Sequence, residues 1–263
     1  MPRFDKLEFG REPEKDSPSP KPASRRRDAD YWVQQADENR RDGLYENALR
    51  FYSRALEMDK SLVPCWLGQI RMLIHLEEYR QAELWSRTAL ELFPGNAGLL
   101  AGRAQAFCRM KQIRRAHELC DGALQQDPKS AYVWLVRGEL MVAGRQEIDR
   151  HCFDSAQQLD SDWLVPLEIA LVYLDYHNPA KAMARARRAV DSAPDRHYPW
   201  YVQGLCQQQL SLDAQARESY RNCLNLNPRN ADAERHLAEL AGQHWSPLAV
   251  LRRLLAGFRS PAQ

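Results

Sequence analysis

Cysteine and histidine are the side chains best able to hold a metal or to act as nucleophile and base, and this chain carries 6 of the first and 7 of the second. Cys65, Cys108, Cys120, Cys152, Cys206 and Cys223 include no C-x-x-C pair, and their spacings are too wide and irregular for a zinc knuckle. His117 and Cys120 stand three apart, which puts two ligand types on one helical face, a weak signal by itself. His75, His117, His151, His177, His197, His236 and His244 are scattered without a repeating carboxylate or nucleophile partner. No Gly-x-Ser-x-Gly elbow, phosphate-cradling glycine loop or His-Glu-x-x-His helix occurs. The expectation is a chain with no catalytic residues, no metal and no cofactor. Its thiols read as small apolar residues between helices, and free thiols suit a reducing compartment, the cytoplasm.

Bulk properties narrow the partners. Across 263 residues, 37 Lys and Arg face 35 Asp and Glu, a formal net charge of +2. Nucleic-acid binders carry a basic excess or stripe, so no nucleic acid is expected. Apolar residues at 44% and charged residues at 27% are those of a globular protein with a substantial core. Residues 1–21 are charged and proline-rich, with no apolar centre, so no secretory signal is expected. The longest apolar stretch, 163–174, contains Pro166 and Glu168 and is too short for a transmembrane segment.

The elements that would position any site follow from periodicity. Residues 1–28 hold five prolines and dense mixed charge, the composition of a disordered tail. Phe4, Leu7 and Phe9 form a short apolar cluster there that reads either as a docking peptide or as stray apolar residues. Arg25, Arg26 and Arg27 read as a solvated linker. From Asp28 onward apolar residues recur every three or four positions, a helical pattern. Ala55, Ala89, Ala123, Ala156, Ala189 and Cys223 follow one another at 34, 34, 33, 33 and 34 residues. Five residues after each come Lys60, Pro94, Pro128, Ser161, Pro194 and Pro228, and seven before each lie Ala48, Ala82, Ala116, Asp149, Ala182 and Ala216. Small residues let two antiparallel helices approach closely, and a proline past the second helix ends it. A hairpin of this size cannot cover its own apolar face, so it must stack on neighbours.

The period and pattern resemble the tetratricopeptide repeat family, whose signature runs W-x2-L-G-x2-Y, then A-x3-F, then P. First helices open with Trp32, Trp66, Leu100, Trp134, Pro166 and Trp200. The family's small residue is matched by Ala36, Ala104, Gly138, Ala170 and Gly204, with Ile70 in the second repeat. Its second-helix aromatic is matched by Tyr52, Phe153 and Tyr220 and replaced by Ser86, Cys120 and Ala186. The resemblance implies an all-α, right-handed superhelical solenoid of about six helix-turn-helix hairpins. Their approximate bounds are 29–62, 63–96, 97–130, 131–162, 163–196 and 197–230, followed by a capping helix at 231–243. Asp149, Ser161, Pro166 and Asn178-Pro179 depart from the pattern, so repeats four and five are expected to pack less regularly.

In this family function lies in the groove lined by first helices, so the resemblance implies a non-catalytic adaptor or scaffold that binds a protein or peptide. Counting one turn from the packing positions puts Val33, Asp37, Arg40, Arg41, Leu67, Arg71, Ile74, His75, Gly98, Ala101, Gln105 and Arg109 on the groove face of repeats one to three. Repeats four to six offer Tyr132, Leu135, Val136, Glu139, Val142, Leu164, Leu167, Leu171, Leu174, Tyr198, Tyr201, Val202 and Leu205. Facing solvent, these would make a contiguous apolar patch that calls for a cover, although a phase error of one would make several of them packing residues. The expected anchors are Tyr132, Leu135, Val136, Glu139, Leu167, Leu171, Leu174, Tyr198, Tyr201 and Leu205. The Lys, Asn and Arg set with which some members grip a C-terminal carboxylate is not matched by Val33, Asp37, Gly68, Gly98 and Gly102.

Residues 244–263 carry Trp245, Leu248, Leu251, Leu254, Leu255 and Phe258 at helical spacing, an amphipathic helix started by Ser246-Pro247. Three readings stay open for it: an extension of the cap, a ligand for a partner or for the chain's own groove, or a peripheral membrane contact. The last underlies the alternative function, a membrane-peripheral assembly or secretion factor.

Overall fold

The structure, a computed structural model, describes residues 28–243. It forms two compact units that divide between Ser161 and Asp162. The first contains α1 (Ala29–Arg41), α2 (Tyr45–Met58), α3 (Val63–His75), α4 (Tyr79–Leu92), α5 (Ala97–Arg109), α6 (Ile113–Gln126), α7 (Ala131–Ala143) and α8 (Asp149–Leu159). The second contains α9 (Leu164–Asp175), α10 (Pro179–Ser192), α11 (His197–Gln209), α12 (Asp213–Leu226) and α13 (Ala231–Gln243). No strand occurs among the described residues. Helices pair as successive hairpins, four in the first unit and two in the second, where α13 packs on α12.

Each hairpin turns through one residue in the left-handed region: Gly43, Glu77, Lys111, Arg145, His177 and Ser211, with φ between 54° and 75°. The following amide then donates back to a carbonyl five residues earlier, as Leu44 does to Asn39 and Gln112 to Phe107, at 2.8 and 2.9 Å. This 6→1 bond satisfies a carbonyl that the helix end would leave bare. Only the first turn uses glycine; the other five hold a side chain in a conformation that costs roughly 1–2 kcal/mol.

Close crossing within a hairpin comes from complementary volumes. A Cβ on Gly138 would lie 2.4 Å from the Phe153 ring, and one on Gly204 would lie 2.5 Å from the Tyr220 ring. Where the first helix carries the larger Ile70, the second carries Ser86, and Ala104 is matched with Cys120; all four are 0% exposed. Successive hairpins are tied by tryptophan. The indole N–H of Trp66 donates to the Lys60 carbonyl at 2.9 Å, Trp134 to Pro128 at 2.8 Å and Trp200 to Pro194 at 2.9 Å. The acceptor is the turn residue six positions earlier, so the tryptophan and proline columns are two ends of one contact. Polar links add to it in the first unit, from Gln69 to Ser53 at 2.6 Å, from Arg103 to Glu83 at 2.7 Å and from Arg137 to Asp121.

The division at Ser161 falls where the sequence pattern is weakest. Ser161 stands in the proline column, and Pro166 stands in the tryptophan column with no indole N–H to donate. Helix α8 is also the shortest of the thirteen described, at 11 residues.

The left-handed turns make a direct prediction. Lys111 is exposed and its side chain has no structural duty in the turn. Lys111→Gly should therefore stabilise the protein by about 0.5–1 kcal/mol in urea unfolding, the relieved strain less the entropy of the added glycine. A loss of stability would contradict the strained-turn reading.

Candidate functional site

The first helices of the first unit lie side by side, α3 against α5 and α5 against α7. One column of residues spaced by 34 runs across them: Asp37, Arg71, Gln105 and Glu139. A chain of polar contacts joins its last three members. The guanidinium of Arg71 lies 4.4 Å from the centre of the Tyr132 ring. The Tyr132 hydroxyl donates to Gln105 Oε1 at 2.6 Å, and Gln105 Nε2 donates to Glu139 Oε2 at 2.6 Å. The other carboxylate oxygen of Glu139 is paired with Arg109. Glu139 is 0% exposed, so this pairing is what makes its burial tolerable.

Tyr132 belongs to α7 yet reaches over α5 toward α3, and on α5 the nearby Gly102 makes room for Ile70. A Cβ on Gly102 would lie 2.9 Å from Ile70 Cγ2 and 3.7 Å from the Tyr132 hydroxyl. At the other end of α3, the His75 ring stacks on Tyr45 at 4.3 Å with an interplanar angle of 12°. Burial, and after it the positive charges of Arg71, Arg109 and Arg40, push the His75 imidazole down to about 3. Asp37 accepts from the Tyr52 hydroxyl at 2.6 Å. Burial holds the Tyr52 phenol well above its ordinary range.

The solvent-facing patch expected on repeats four to six needs correction. Leu135, Val136 and Glu139 of α7, Leu167 and Leu174 of α9 and Tyr198 of α11 are buried, none more than 8% exposed. Val142, Leu171, Tyr201 and Leu205 are half-buried, Leu164 and Val202 buried. The physical reason is that a first helix is flanked by its own partner and by neighbouring first helices, so little of its circumference is left to solvent. Tyr201 is drawn into an aromatic group with Tyr198 at 6.1 Å, Tyr220 at 6.1 Å and His236 at 6.0 Å, joining α11, α12 and α13. Tyr132 is the anchor that stays half-buried within a built polar network. Arg71, Gln105 and Arg109, which the sequence places on the same face without singling them out, complete that network.

All six cysteines are free and buried. Burial raises the thiols of Cys65, Cys120, Cys206 and Cys223 to about 12, which keeps them protonated and poor nucleophiles. Among the described residues no three His, Cys, Asp or Glu come together as a metal site. No described helix is long and apolar enough to cross a membrane. Phe4, Leu7, Phe9 and the segment with Trp245, Leu248, Leu251, Leu254, Leu255 and Phe258 lie outside the described residues.

The His75 environment sets a pH dependence. In the unfolded chain His75 titrates near 6.5, but in the folded chain near 3. Between these values the unfolded state binds a proton that the folded state refuses, so stability is full above pH 6.5 and falls as the pH is lowered toward 3. His75→Gln should flatten the stability profile across that window in urea titrations at stepped pH. An unchanged slope would show that His75 is not held neutral by its surroundings.

Two tetratricopeptide repeat family models match the sequence, over residues 29–62 and 86–140. A search of curated proteins gave no match. Among solved structures, the chain is similar to the tetratricopeptide repeat protein TTC0263 of Thermus thermophilus, at 17% identity and TM-score 0.53, covering 70% of this chain and 99% of that one. It is also similar to a tetratricopeptide repeat protein of Parabacteroides merdae, at 16% identity and TM-score 0.52, covering 83% and 86%. A third likeness is to the APC/C hetero-tetramer Cut9-Hcn1, at 15% identity and TM-score 0.50, where 82% of this chain spans only 44% of that one. The helical hairpins, the paired small and aromatic columns and both matching models agree: the chain is a tetratricopeptide repeat protein.

Proposed function

We propose that the chain is a non-catalytic adaptor that binds a protein segment along the exposed strips of its first helices. The family is one of protein-interaction modules, which supplies the coarse function. The observation that carries the finer reading is the setting of Tyr132. It is a half-buried aromatic held in one orientation by the Gln105 hydrogen bond and the Arg71 guanidinium, before any partner arrives. An anchor fixed in advance loses little conformational freedom on binding, and aromatic anchors supply a large share of interface energy. In the second unit, Leu171 and Leu205 are the half-buried apolar residues on the equivalent first-helix strips. Tyr201 of the same unit is chiefly a packing residue.

The test is capture from lysate of the source cells by immobilised wild-type chain and by Tyr132→Ala, with circular dichroism as the folding control. Loss of a central anchor costs about 2 kcal/mol, so the captured partner should bind the variant roughly thirtyfold more weakly. Equal capture by a folded Tyr132→Ala chain would remove this strip from consideration.

A further inference from the structure

We propose that the turns of the third and fourth hairpins form a second docking edge, at which Lys111, Arg114, Arg115 and Arg145 take an acidic segment of a protein partner. This edge is separate from the strip around Tyr132 and goes beyond the adaptor reading above.

Helices α5 and α7 lie side by side, and the last residue of α5, Arg109, is paired with Glu139 of α7. The hairpin turns that follow the two helices are therefore neighbours. Lys111 and Arg145 stand at the same position of these turns, with φ of 61° and 54°. Both are exposed, and neither side chain has an ion-pair or hydrogen-bond partner among the described residues. Other cations of the unit are taken up internally: Arg103 pairs with Glu83, Arg109 with Glu139 and Arg137 with Asp121. Arg114 and Arg115 open α6 just after Lys111 and are exposed as well. Arg114 meets Glu118 at 3.1 Å with the two side chains 93% and 63% exposed, a surface pair worth little and readily exchanged. Arg115 is held in place: it donates to Gln112 Oε1 at 2.9 Å, and its guanidinium lies 5.8 Å from the centre of the Phe107 ring.

The fold does not ask for these cations. The equivalent turn position holds Gly43, Glu77, His177 and Ser211 in other hairpins, and glycine adopts this backbone without strain. In the first turn of α6 two arginines meet the positive end of the helix dipole, and no acidic residue in that turn offsets them. Four exposed cations kept together at a cost in stability are explained by an anionic guest. Ile148, three residues after Arg145 and 54% exposed, offers it an apolar contact on the same edge.

The carboxylates nearby decide which anion fits. Glu118 and Glu147 are exposed among the cations, and Glu77 is exposed in the turn of the second hairpin. A nucleic-acid backbone or a flat anionic membrane would have to pass over them. A peptide carries its carboxylates at chosen positions and can avoid like charge.

The experiment uses the full chain and two fluorescein-labelled peptides of ten residues, one alternating Glu with Ser and its twin alternating Gln with Ser. Anisotropy should show the acidic peptide binding about tenfold or more tightly than its twin, with affinity falling as salt rises. Lys111→Gly combined with Arg145→Gly removes two cations and relieves both turns. That variant should unfold in urea no earlier than the wild type, yet lose about tenfold for the acidic peptide. Arg50→Gln combined with Arg87→Gln removes the same charge from exposed positions on α2 and α4 and should stay within about twofold of the wild type. The proposal is overturned if neither peptide binds, if both bind alike, if the glycine pair binds as the wild type does, or if the Arg50 and Arg87 pair loses as much. Tighter binding of single-stranded RNA or of phosphatidylserine vesicles, lost in the glycine pair, would overturn it in favour of a phosphate ligand. Loss of the acidic peptide in Tyr132→Ala would place the carboxylates on the first-helix strip and sink this edge. Lysate capture insensitive to Tyr132→Ala would sink the strip instead, while peptide binding lost in the glycine pair would still support the edge.

Discussion

The distance between the two helices of each hairpin is the constraint on which the rest of the molecule depends. Gly138 under the Phe153 ring and Gly204 under the Tyr220 ring leave no room for even a methyl group. Protein interiors are packed as densely as organic crystals, so such a crossing has one tolerated combination of volumes at a time. The second hairpin solves the same problem in reverse, with Ile70 on the first helix and Ser86 on the second. In the third and fifth hairpins both positions are small, Ala104 with Cys120 and Ala170 with Ala186, so the crossing is filled differently from repeat to repeat.

Once that distance is set, the remaining order follows. Stacked hairpins bring the tryptophan indoles of α3 and α7 within reach of the carbonyls at Lys60 and Pro128. The side-by-side packing of α3, α5 and α7 brings Tyr132 of α7 to Gln105 of α5 and to Arg71 of α3. The polar chain from Arg71 through Tyr132, Gln105 and Glu139 to Arg109 is therefore a product of repeat geometry. A change in hairpin thickness would displace Tyr132 from its hydrogen bond long before it unfolded a helix.

The fold was legible in the sequence because its determinants are local and repeated. Ala55, Ala89 and Ala123 recur at one period, and each marks the same buried position on a second helix. The candidate site was legible only in part. Tyr132 was identifiable as an aromatic one turn from the packing positions, but Leu135, Val136, Leu167 and Leu174 were placed on a solvent-facing strip and are buried. Periodicity reports which face of a helix is apolar; it does not report how many neighbours that helix has. Helix α9 is apolar nearly all round, the mark of an element enclosed on most sides, and that signal outweighed the count along one face. The network around Tyr132 was harder still. Arg71, Gln105 and Glu139 share a 34-residue column that the sequence displays, but their pairing depends on three first helices lying side by side.

The crossing constraint is tested most directly by a double-mutant cycle at Gly138 and Phe153, followed by urea unfolding. Gly138→Ala alone should cost about 1–3 kcal/mol, the usual penalty for overpacking a dense site. In the Phe153→Ala background, where the ring is gone, the same glycine substitution should cost almost nothing. Equal cost in both backgrounds would mean that the ring does not set the helix spacing.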